Sequence, residues 1–212
     1  MSQRAKQWRE VRRVVSMLRA LPWSARAAAI GRLLEWPGRR GRRVREALAA
    51  QPARLVIVCH GNIMRSAFAV AYLRQQAPAL AERIVGAGTH ATAGRAAQDS
   101  ALRVAPAFGV SLADHGAQPL EAVGLTAQDV VVCMDRANEA NVIARWAALA
   151  PRVFLIGDLG VVPAGAGRDV VDPYARGDEA TRVAFARIQG NAQAWLAALT
   201  PPPAGEQSPP RR

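Results

Sequence analysis

Cysteine and long apolar runs are both scarce in this chain of 212 residues, and each shortage excludes a class of protein. The two cysteines, Cys59 and Cys133, lie in separate apolar runs, which does not fit the disulfide framework of a small secreted protein. No stretch offers the roughly 18 uncharged apolar residues of a membrane span, and no apolar segment follows the charges at the N-terminus. We therefore expect a soluble, cytoplasmic protein.

Acidic residues are rare at the start of the chain. Residues 1–53 carry 13 Lys and Arg but only three Asp and Glu, so they hold +10 of the net charge of +12. The rest of the chain is close to neutral, and binding to a nucleic-acid backbone needs a basic surface. Few aromatic residues accompany the basic run 39–45, which also disfavours single-stranded nucleic acid as its ligand. We expect no nucleic-acid partner.

We interpret residues 1–53 as a basic helical extension. Apolar residues recur at helical spacing among arginines over 3–21, which predicts a basic amphipathic helix. Ser24 can begin a second helix that ends at Pro37, and the basic run then leads through a short helical stretch to a domain boundary at Pro52. The extension either packs on the rest of the protein or makes a peripheral contact with an anionic membrane surface.

Beyond residue 53 the pattern changes to short apolar runs separated by helical segments. The runs predict parallel strands at 55–58, 83–85, 130–133 and 153–156, and the segments predict helices at 65–77, 96–108, 137–148 and 179–199. This alternation predicts an α/β fold, a small doubly wound sheet of four parallel strands with flanking helices, preceded by the α-helical N-terminal extension. Ligands of such sheets bind beyond the carboxyl ends of the strands. Residues 200–212 are Pro-rich and polar and predict a disordered tail.

The stretch 55–66 reads as an apolar strand, a tight loop and the start of a helix, with Cys59 and Arg65 six positions apart. Loop amides and a helix N-terminus can point at one centre there, forming an anion cradle that favours a thiolate. Arg65 can then bind two phosphoryl oxygens with its planar guanidinium, and Ser66 can donate to the thiolate. Gly61 permits an unusual backbone and Asn62 tolerates a left-handed one. An inert buried thiol and a solvated arginine are the alternative, which the combination of residues disfavours.

The loop resembles the signature of the low-molecular-weight protein tyrosine phosphatases, V-C-x-G-N-x-x-R-S after a hydrophobic strand. Further along, 86–89 resembles the family's second-strand segment, 132–135 its third-strand ending, and 172–174 its D-P-[YW] element. The resemblance covers residues 54–199, which we take as the phosphatase domain. It implies the same four-stranded fold.

The family resemblance also implies roles for individual residues. Cys59 would be the nucleophile that forms a phosphocysteine, Arg65 the phosphate clamp and Asp172 the general acid, with neither a metal nor another cofactor. The remaining candidates for substrate binding are the other loop residues and the tyrosine after the acid, namely His60, Gly61, Asn62, Ile63, Met64, Ser66 and Tyr174.

Several residues depart from the family pattern. Met64 stands where a second loop cysteine is common, so a protective disulfide within the loop is not expected. Ala67 and Val70 replace a P-x-A-E sequence, and Gly86 replaces a serine that is thought to brace the loop asparagine. These changes put the rigidity of the loop in question. His115 aligns with a family histidine that would reach Asn62, although a lone surface histidine is an equal alternative.

Other functions of the same fold remain as alternatives. Arsenate reductases need two further cysteines close together, and Cys133 is the only other one. Arginine phosphatases resemble the chain but carry a threonine in place of Ile63, whose apolar side chain better suits a phenyl phosphate. A phosphoprotein-binding adaptor with little turnover has no need of a thiol and an acid.

The segment 88–94 resembles bacterial members linked to capsule and exopolysaccharide export, which implies a phosphotyrosine protein such as a bacterial tyrosine kinase as partner.

Overall fold

The central strand of the fold is the apolar run Leu55–Cys59 (β1), in which all five residues are buried. The computed structural model describes residues 19, 23, 26–27, 30–31, 37–160 and 167–200. The other strands are Ile84–Gly88 (β2), Val130–Cys133 (β3) and Val153–Leu155 (β4). They form one sheet in the order β2-β1-β3-β4, and every neighbouring pair is parallel. Apolar runs suit such a sheet because both of its faces are covered.

Helices cover the two faces of the sheet. They are Pro37–Ala49 (α1), Arg65–Gln76 (α2), Asp99–Val104 (α3), Arg136–Arg145 (α4) and Gly177–Leu199 (α5), and short 3-10 turns lie at Pro78–Arg83, Ala105–Phe108, Leu120–Val123, Ala147–Arg152 and Ile156–Asp158. One apolar cluster joins α1, α2, α3 and α5 to one face, and a second joins α4 to the other. In the first cluster Phe68 of α2 stacks on Phe185 of α5, with ring centroids 4.0 Å apart. The predicted α/β fold with four parallel strands is confirmed.

The strand order places a topological switch point beside β1. The chain passes from β1 to β2 on one side and then crosses to β3 on the other. The carboxyl ends of β1 and β3 therefore open into a crevice, which is where doubly wound sheets bind their ligands. The loop after β1 and the residue Asp135 after β3 both lie at this edge.

The helix α1 belongs to the folded body. Its residues Val44 and Leu48 are buried in the cluster shared with α2 and α5. Pro37, expected to end the preceding helix, is the first residue of α1, where a proline is tolerated because amides of the first turn lack an intrahelical acceptor. The basic run 39–45 consequently lies within a helix.

Three predicted segments lie mostly outside the described residues. They are the amphipathic helix at 3–21, the second helix from Ser24 to Pro37 and the Pro-rich tail at 200–212. Within the ranges that the structure describes, no helix is both long and apolar enough to cross a membrane.

Candidate active site

The loop after β1 curls around the sulfur of Cys59. The backbone amide of Asn62 donates to Sγ over 3.2 Å, and Ser66 Oγ lies 3.0 Å from the same atom. The helix α2 begins at Arg65, so its first-turn amides and dipole add positive potential near the sulfur. All of these features stabilise a thiolate, the form of cysteine that acts as a nucleophile. The structure thus brings Cys59, Asn62 and Ser66 together as their spacing predicts.

Asn62 holds the loop in shape through both ends of its side chain. It adopts a left-handed backbone with φ of 52°, which asparagine accepts more readily than most residues. Its Nδ2 donates to Ser66 Oγ over 2.8 Å, and its Oδ1 accepts from the amide of Gln118 over 2.9 Å. Gly61, for which an unusual backbone was expected, does not have a positive φ, because Asn62 makes the turn instead.

His115 reaches the loop, which decides between the two alternatives for this residue. Its Nε2 lies 2.5 Å from the backbone oxygen of Asn62. Gln118, three residues further along the chain, also supports the loop. Its backbone amide donates to the side chain of Asn62, and its carbonyl accepts from the amide of Gly88 at the end of β2. The segment 115–118 therefore links the loop to the end of β2.

The departures at Gly86 and Val70 compensate for each other. A Cβ built on Gly86 would lie 3.0 Å from Asn62 Nδ2 and 3.1 Å from Val70 Cγ2. Val70 and the loop asparagine thus fill the space that a serine at position 86 would need. Ala67, the third departure, is buried against the same core. Packing therefore replaces the missing serine contact, and the Asn62 side chain donates to Ser66 and accepts from Gln118.

Arg65 is buried at the start of α2, with 2% of its surface exposed. Its Nη1 donates to Asp135 Oδ2 over 2.6 Å and to the carbonyl of Val170 over 3.0 Å, and its Nη2 donates to Asp172 Oδ2 over 2.6 Å. Burial disfavours its charge, but Cys59, Asp135 and Asp172 outweigh that effect and raise the pKa of Arg65. The guanidinium is therefore a fixed positive charge beside the sulfur.

Asp135 is a site residue that the sequence reasoning missed. It is the N-cap of α4, accepting from the amide of Asn138 over 2.8 Å, while its other oxygen binds Arg65. The available signal was its place directly after β3, because that strand is the parallel neighbour of β1 and their ends meet at one edge. Its capping position holds the carboxylate rigidly, so it can orient Arg65.

Asp172 lies at the mouth of the site, with 39% of its side chain exposed. Its Oδ1 accepts from the amide of Tyr174 over 3.2 Å, and Tyr174 itself is half exposed. The carboxyl group thus faces both the loop and the solvent. That position suits a group that delivers a proton to a leaving group and later takes one from water.

These side chains surround a cavity of about 270 Å³. Most predicted site residues line it: Cys59, His60, Gly61, Ile63, Met64, Arg65, Asp172 and Tyr174. Asn62 and Ser66 are absent from this lining and support the loop from behind. The cavity wall also includes His90 and Arg95, which were not predicted and follow β2 in the chain.

The two histidines form one wall of the cavity. The rings of His60 and His90 stack with centroids 4.5 Å apart and planes 20° from parallel. Burial, His60 and Arg145 together lower the pKa of His90, so its ring is neutral at neutral pH. Arg95 is exposed, and its side chain makes no hydrogen bond or ion pair with any described residue.

The second cysteine does not join the site. Cys133 is fully buried in β3, as the apolar run predicts. Burial raises the pKa of its thiol well above the ordinary value, and the nearby Glu139 and Asp135 add to the shift. Cys133 therefore stays protonated and out of reach of solvent.

A thiolate under amide donors, a guanidinium beside it and a carboxyl group at the mouth are the parts needed to transfer a phosphoryl group to sulfur. The fold and the site thus define a cysteine-dependent phosphatase. The sequence model of the low molecular weight phosphotyrosine protein phosphatases matches residues 54–202, and the chain belongs to this family.

Individual relatives agree with this assignment. The chain is 32% identical over 142 residues to the probable low molecular weight protein-tyrosine-phosphatase EpsP of Ralstonia nicotianae, which covers 67% of this chain and 92% of the relative. It is also similar to the crystal structure of the Erwinia amylovora tyrosine phosphatase AmsI, at 29% identity and a TM-score of 0.60, over 71% of this chain and 95% of that one. The predicted enzyme class is confirmed.

An arginine phosphatase shares the fold. YwlE from Geobacillus stearothermophilus superposes with a TM-score of 0.59 over 70% of this chain and 93% of its own, at 24% identity. Identity this low supports a common fold alone. The family match begins at residue 54, so it does not include α1.

Proposed function

We propose that this chain hydrolyses phosphotyrosine in proteins through a phosphocysteine intermediate. The observation that carries the proposal is the convergence of Cys59, Arg65 and Asp172 on one cavity. In the first step the thiolate of Cys59 attacks phosphorus, the bond from phosphorus to the phenolic oxygen breaks, and Asp172 gives its proton to that oxygen. In the second step water attacks phosphorus, Asp172 takes a proton from the water, and the bond to sulfur breaks to release phosphate.

Charge stabilisation comes from the loop and Arg65. Loop amides and the α2 N-terminus face the position of the phosphoryl oxygens, where negative charge is held during transfer. Asp135 and the carbonyl of Val170 hold Nη1 of Arg65, which keeps the guanidinium in one orientation. Such a fixed donor needs no reorganisation during the reaction.

The cavity wall supports an aromatic substrate. Ile63 presents an apolar side chain and Tyr174 an aromatic ring to the space in front of Cys59, which suits a flat phenyl phosphate better than a phosphoguanidine. Arg95, exposed at the same cavity, favours a substrate with an acidic residue beside the phosphotyrosine. Phosphotyrosine peptides should be cleaved much faster than phosphoserine or phosphoarginine peptides. Ile63→Thr should reduce the difference in cleavage rate between phosphotyrosine and phosphoarginine peptides. A preference of the wild type for phosphoarginine would overturn the assignment to the tyrosine phosphatases.

The family resemblance supports a specific kind of partner protein. A bacterial tyrosine kinase of a capsule or exopolysaccharide export system would present tyrosine phosphates near a membrane. The exposed arginines of α1, Arg39, Arg42 and Arg45, would face such an anionic surface together with the preceding basic residues. Because α1 packs into the body, the informative truncation begins at Pro37. The full chain should pellet with anionic liposomes and be released by salt, whereas pelleting to the same extent by the truncated chain would remove residues 1–36 from this role.

Turnover itself is tested with p-nitrophenyl phosphate and a phosphotyrosine peptide. Cys59→Ser should lower turnover by roughly a thousandfold or more, as the loss of a nucleophile does. Cys133→Ser is the matched control, because the same atom is changed in a buried strand away from the cavity. Under conditions in which Cys133→Ser is folded, it should retain the turnover of the wild type. Equal activity of Cys59→Ser and wild type would refute the proposed nucleophile.

A further inference from the structure

The helix α1 lies outside the residues matched by the family, yet it inserts a charged side chain into the core. Arg40 is 1% exposed. Its Nε donates to both carboxylate oxygens of Asp158, over 2.9 and 3.0 Å, and its Nη2 donates to Glu139 Oε1 over 2.5 Å. One guanidinium therefore joins two carboxylates that are far from it in sequence.

The carboxylates need this cation because both are buried. The side chains of Glu139 and Asp158 are 5% and 0% exposed, and a charge removed from water is costly unless it is paired. Burial also disfavours the charge of Arg40, but the attraction of Glu139 and Asp158 outweighs it and raises the pKa of Arg40. Arg168 adds a longer contact of 3.4 Å to Asp158. Arg40 thus supplies the close cation of the cluster.

The first carboxylate belongs to the helix that presents Asp135 to the active site. Glu139 lies in the first turn of α4, and its amide donates to the carbonyl of Asp135 over 3.0 Å. Asp135 in turn binds Arg65 over 2.6 Å. Arg40 and Arg65 therefore hold the same helical turn from opposite ends.

The second carboxylate lies behind the segment 168–172. Gly157, next to Asp158, is packed so tightly on this segment that a Cβ would lie 2.4 Å from the carbonyl oxygen of Arg168. The same segment supplies two acceptors of Arg65, the carbonyl of Val170 and the carboxylate of Asp172. Both supports of the catalytic guanidinium are thus braced from behind by groups that Arg40 joins.

We propose that Arg40 is a positioning residue for Arg65, so that the helix preceding the family domain is part of what sets the geometry of the phosphate clamp. The proposal rests on the proposed function, in which Arg65 binds the phosphoryl group. Without Arg40, two buried carboxylates would repel each other, and α4 and the 168–172 segment would shift apart. Arg65 would then lose its fixed orientation, although none of the residues that contact it is substituted.

The test compares Arg40→Met with Arg42→Met in the full chain. Both variants remove an arginine from α1, but Arg42 is exposed and, among the described residues, forms an ion pair only with Glu46 on the same helix, at 3.5 Å. The first readout is the Kd of inorganic phosphate, measured by calorimetry, which does not depend on turnover. The second is kcat/KM for p-nitrophenyl phosphate, measured well below the Tm of each variant.

For Arg40→Met we expect a loss of about tenfold in phosphate affinity and at least as much in kcat/KM, since displacement of a catalytic group by a fraction of an ångström has effects of this size. Arg42→Met should stay within about twofold of wild type, as surface substitutions do. Wild-type phosphate affinity and turnover in folded Arg40→Met would overturn the proposal. If Arg40→Met does not fold, Arg40→Lys keeps a cation in the cluster but lacks the planar fork that joins both carboxylates. A several-fold loss of phosphate affinity in Arg40→Lys then supports the proposal, and wild-type affinity overturns it.

A double-mutant cycle separates positioning from general loosening. In the Arg65→Lys background, Arg40→Met should change the phosphate Kd by less than about twofold, because the group through which it acts is already altered. An equal loss in both backgrounds would refute a role through Arg65. A wild-type chain that binds phosphate but hydrolyses nothing would refute the proposed turnover, while the phosphate measurements would still decide the role of Arg40.

Discussion

Gly88 at the end of β2 offers the sharpest test of how the catalytic loop is held. A Cβ at this position would lie 2.7 Å from the carbonyl oxygen of His60, 2.8 Å from the amide nitrogen of Asn62 and 2.8 Å from the carbonyl carbon of Gly61. All three atoms are loop backbone and cannot rotate away. A carbon and a carbonyl oxygen need about 3.3 Å, so Gly88→Ala must push the loop by roughly 0.6 Å.

That displacement has two consequences. Overpacking of this kind costs about 1–3 kcal/mol in the free energy of unfolding. The loop also carries the donor to Cys59 Sγ, and a misplacement approaching 1 Å can cost about a hundredfold in rate, so we expect kcat/KM to fall by roughly 10- to 100-fold. Steady-state kinetics with p-nitrophenyl phosphate and urea denaturation measure the two effects.

The matched control is Gly190→Ala in α5. Nothing lies within 4 Å of a Cβ built on Gly190, so alanine should stabilise the helix by about 0.5–1 kcal/mol without changing turnover. If Gly88→Ala keeps kcat/KM within about twofold of wild type, the loop is not held by the close approach of β2 and the reasoning fails.

Three further predictions concern other parts of the site and the fold. Asp172→Asn should retain phosphate binding and slow phenyl phosphate more than p-nitrophenyl phosphate, because a poor leaving group needs the proton most; equal slowing of both substrates would remove Asp172 from the acid role. Gly86→Ser should lower stability and kcat/KM because its side chain meets Val70, and Val70→Ala should partly restore both; no gain in the double variant would contradict the compensation. Although burial opposes it, hydrogen bonds from Arg54 and Thr126 lower the pKa of Asp129, so its contribution to stability should be present above pH of about 4 and disappear in more acidic solution. Urea denaturation from pH 3 to 6 should therefore show a shallower dependence on pH in Asp129→Asn, and an unchanged slope would count against this role.

The chemistry of the loop was readable in the sequence because its parts are neighbours in the chain. A strand of five apolar residues followed by a short turn and a helix start can place Cys59, Asn62 and Ser66 only around one centre. Three strands were readable for a similar reason, since runs buried on both faces contain no polar residue. The strand expected at 83–85 is instead Ile84–Gly88, which contains two glycines and is only partly buried. Helix starts were less certain, and α1 begins well before the short helical stretch expected ahead of Pro52.

Residues that act from a distance were not readable, because only packing brings them to the site. Asp135 was visible as the end of β3, but its ion pair with Arg65 depends on the two strands being neighbours. His90 and Arg95 reach the cavity because β2 pairs with β1 and delivers the next segment to the same edge.

Arg65 and Arg40 show most clearly what the sequence determined and what only the tertiary structure decided. The sequence alone determined the family and the place of Cys59 and Arg65 in one loop, since local spacing is enough to define an anion-binding loop. The partners of Arg40 lie 99 and 118 residues away. In the sequence Arg40 is one of several arginines in the basic run 39–45, and nothing in that run distinguishes it from its neighbours. Only the packing of α1 against α5 and the turn at Ile156–Asp158 buried it and brought its side chain to Glu139 in α4, because two carboxylates enclosed in that core require a cation.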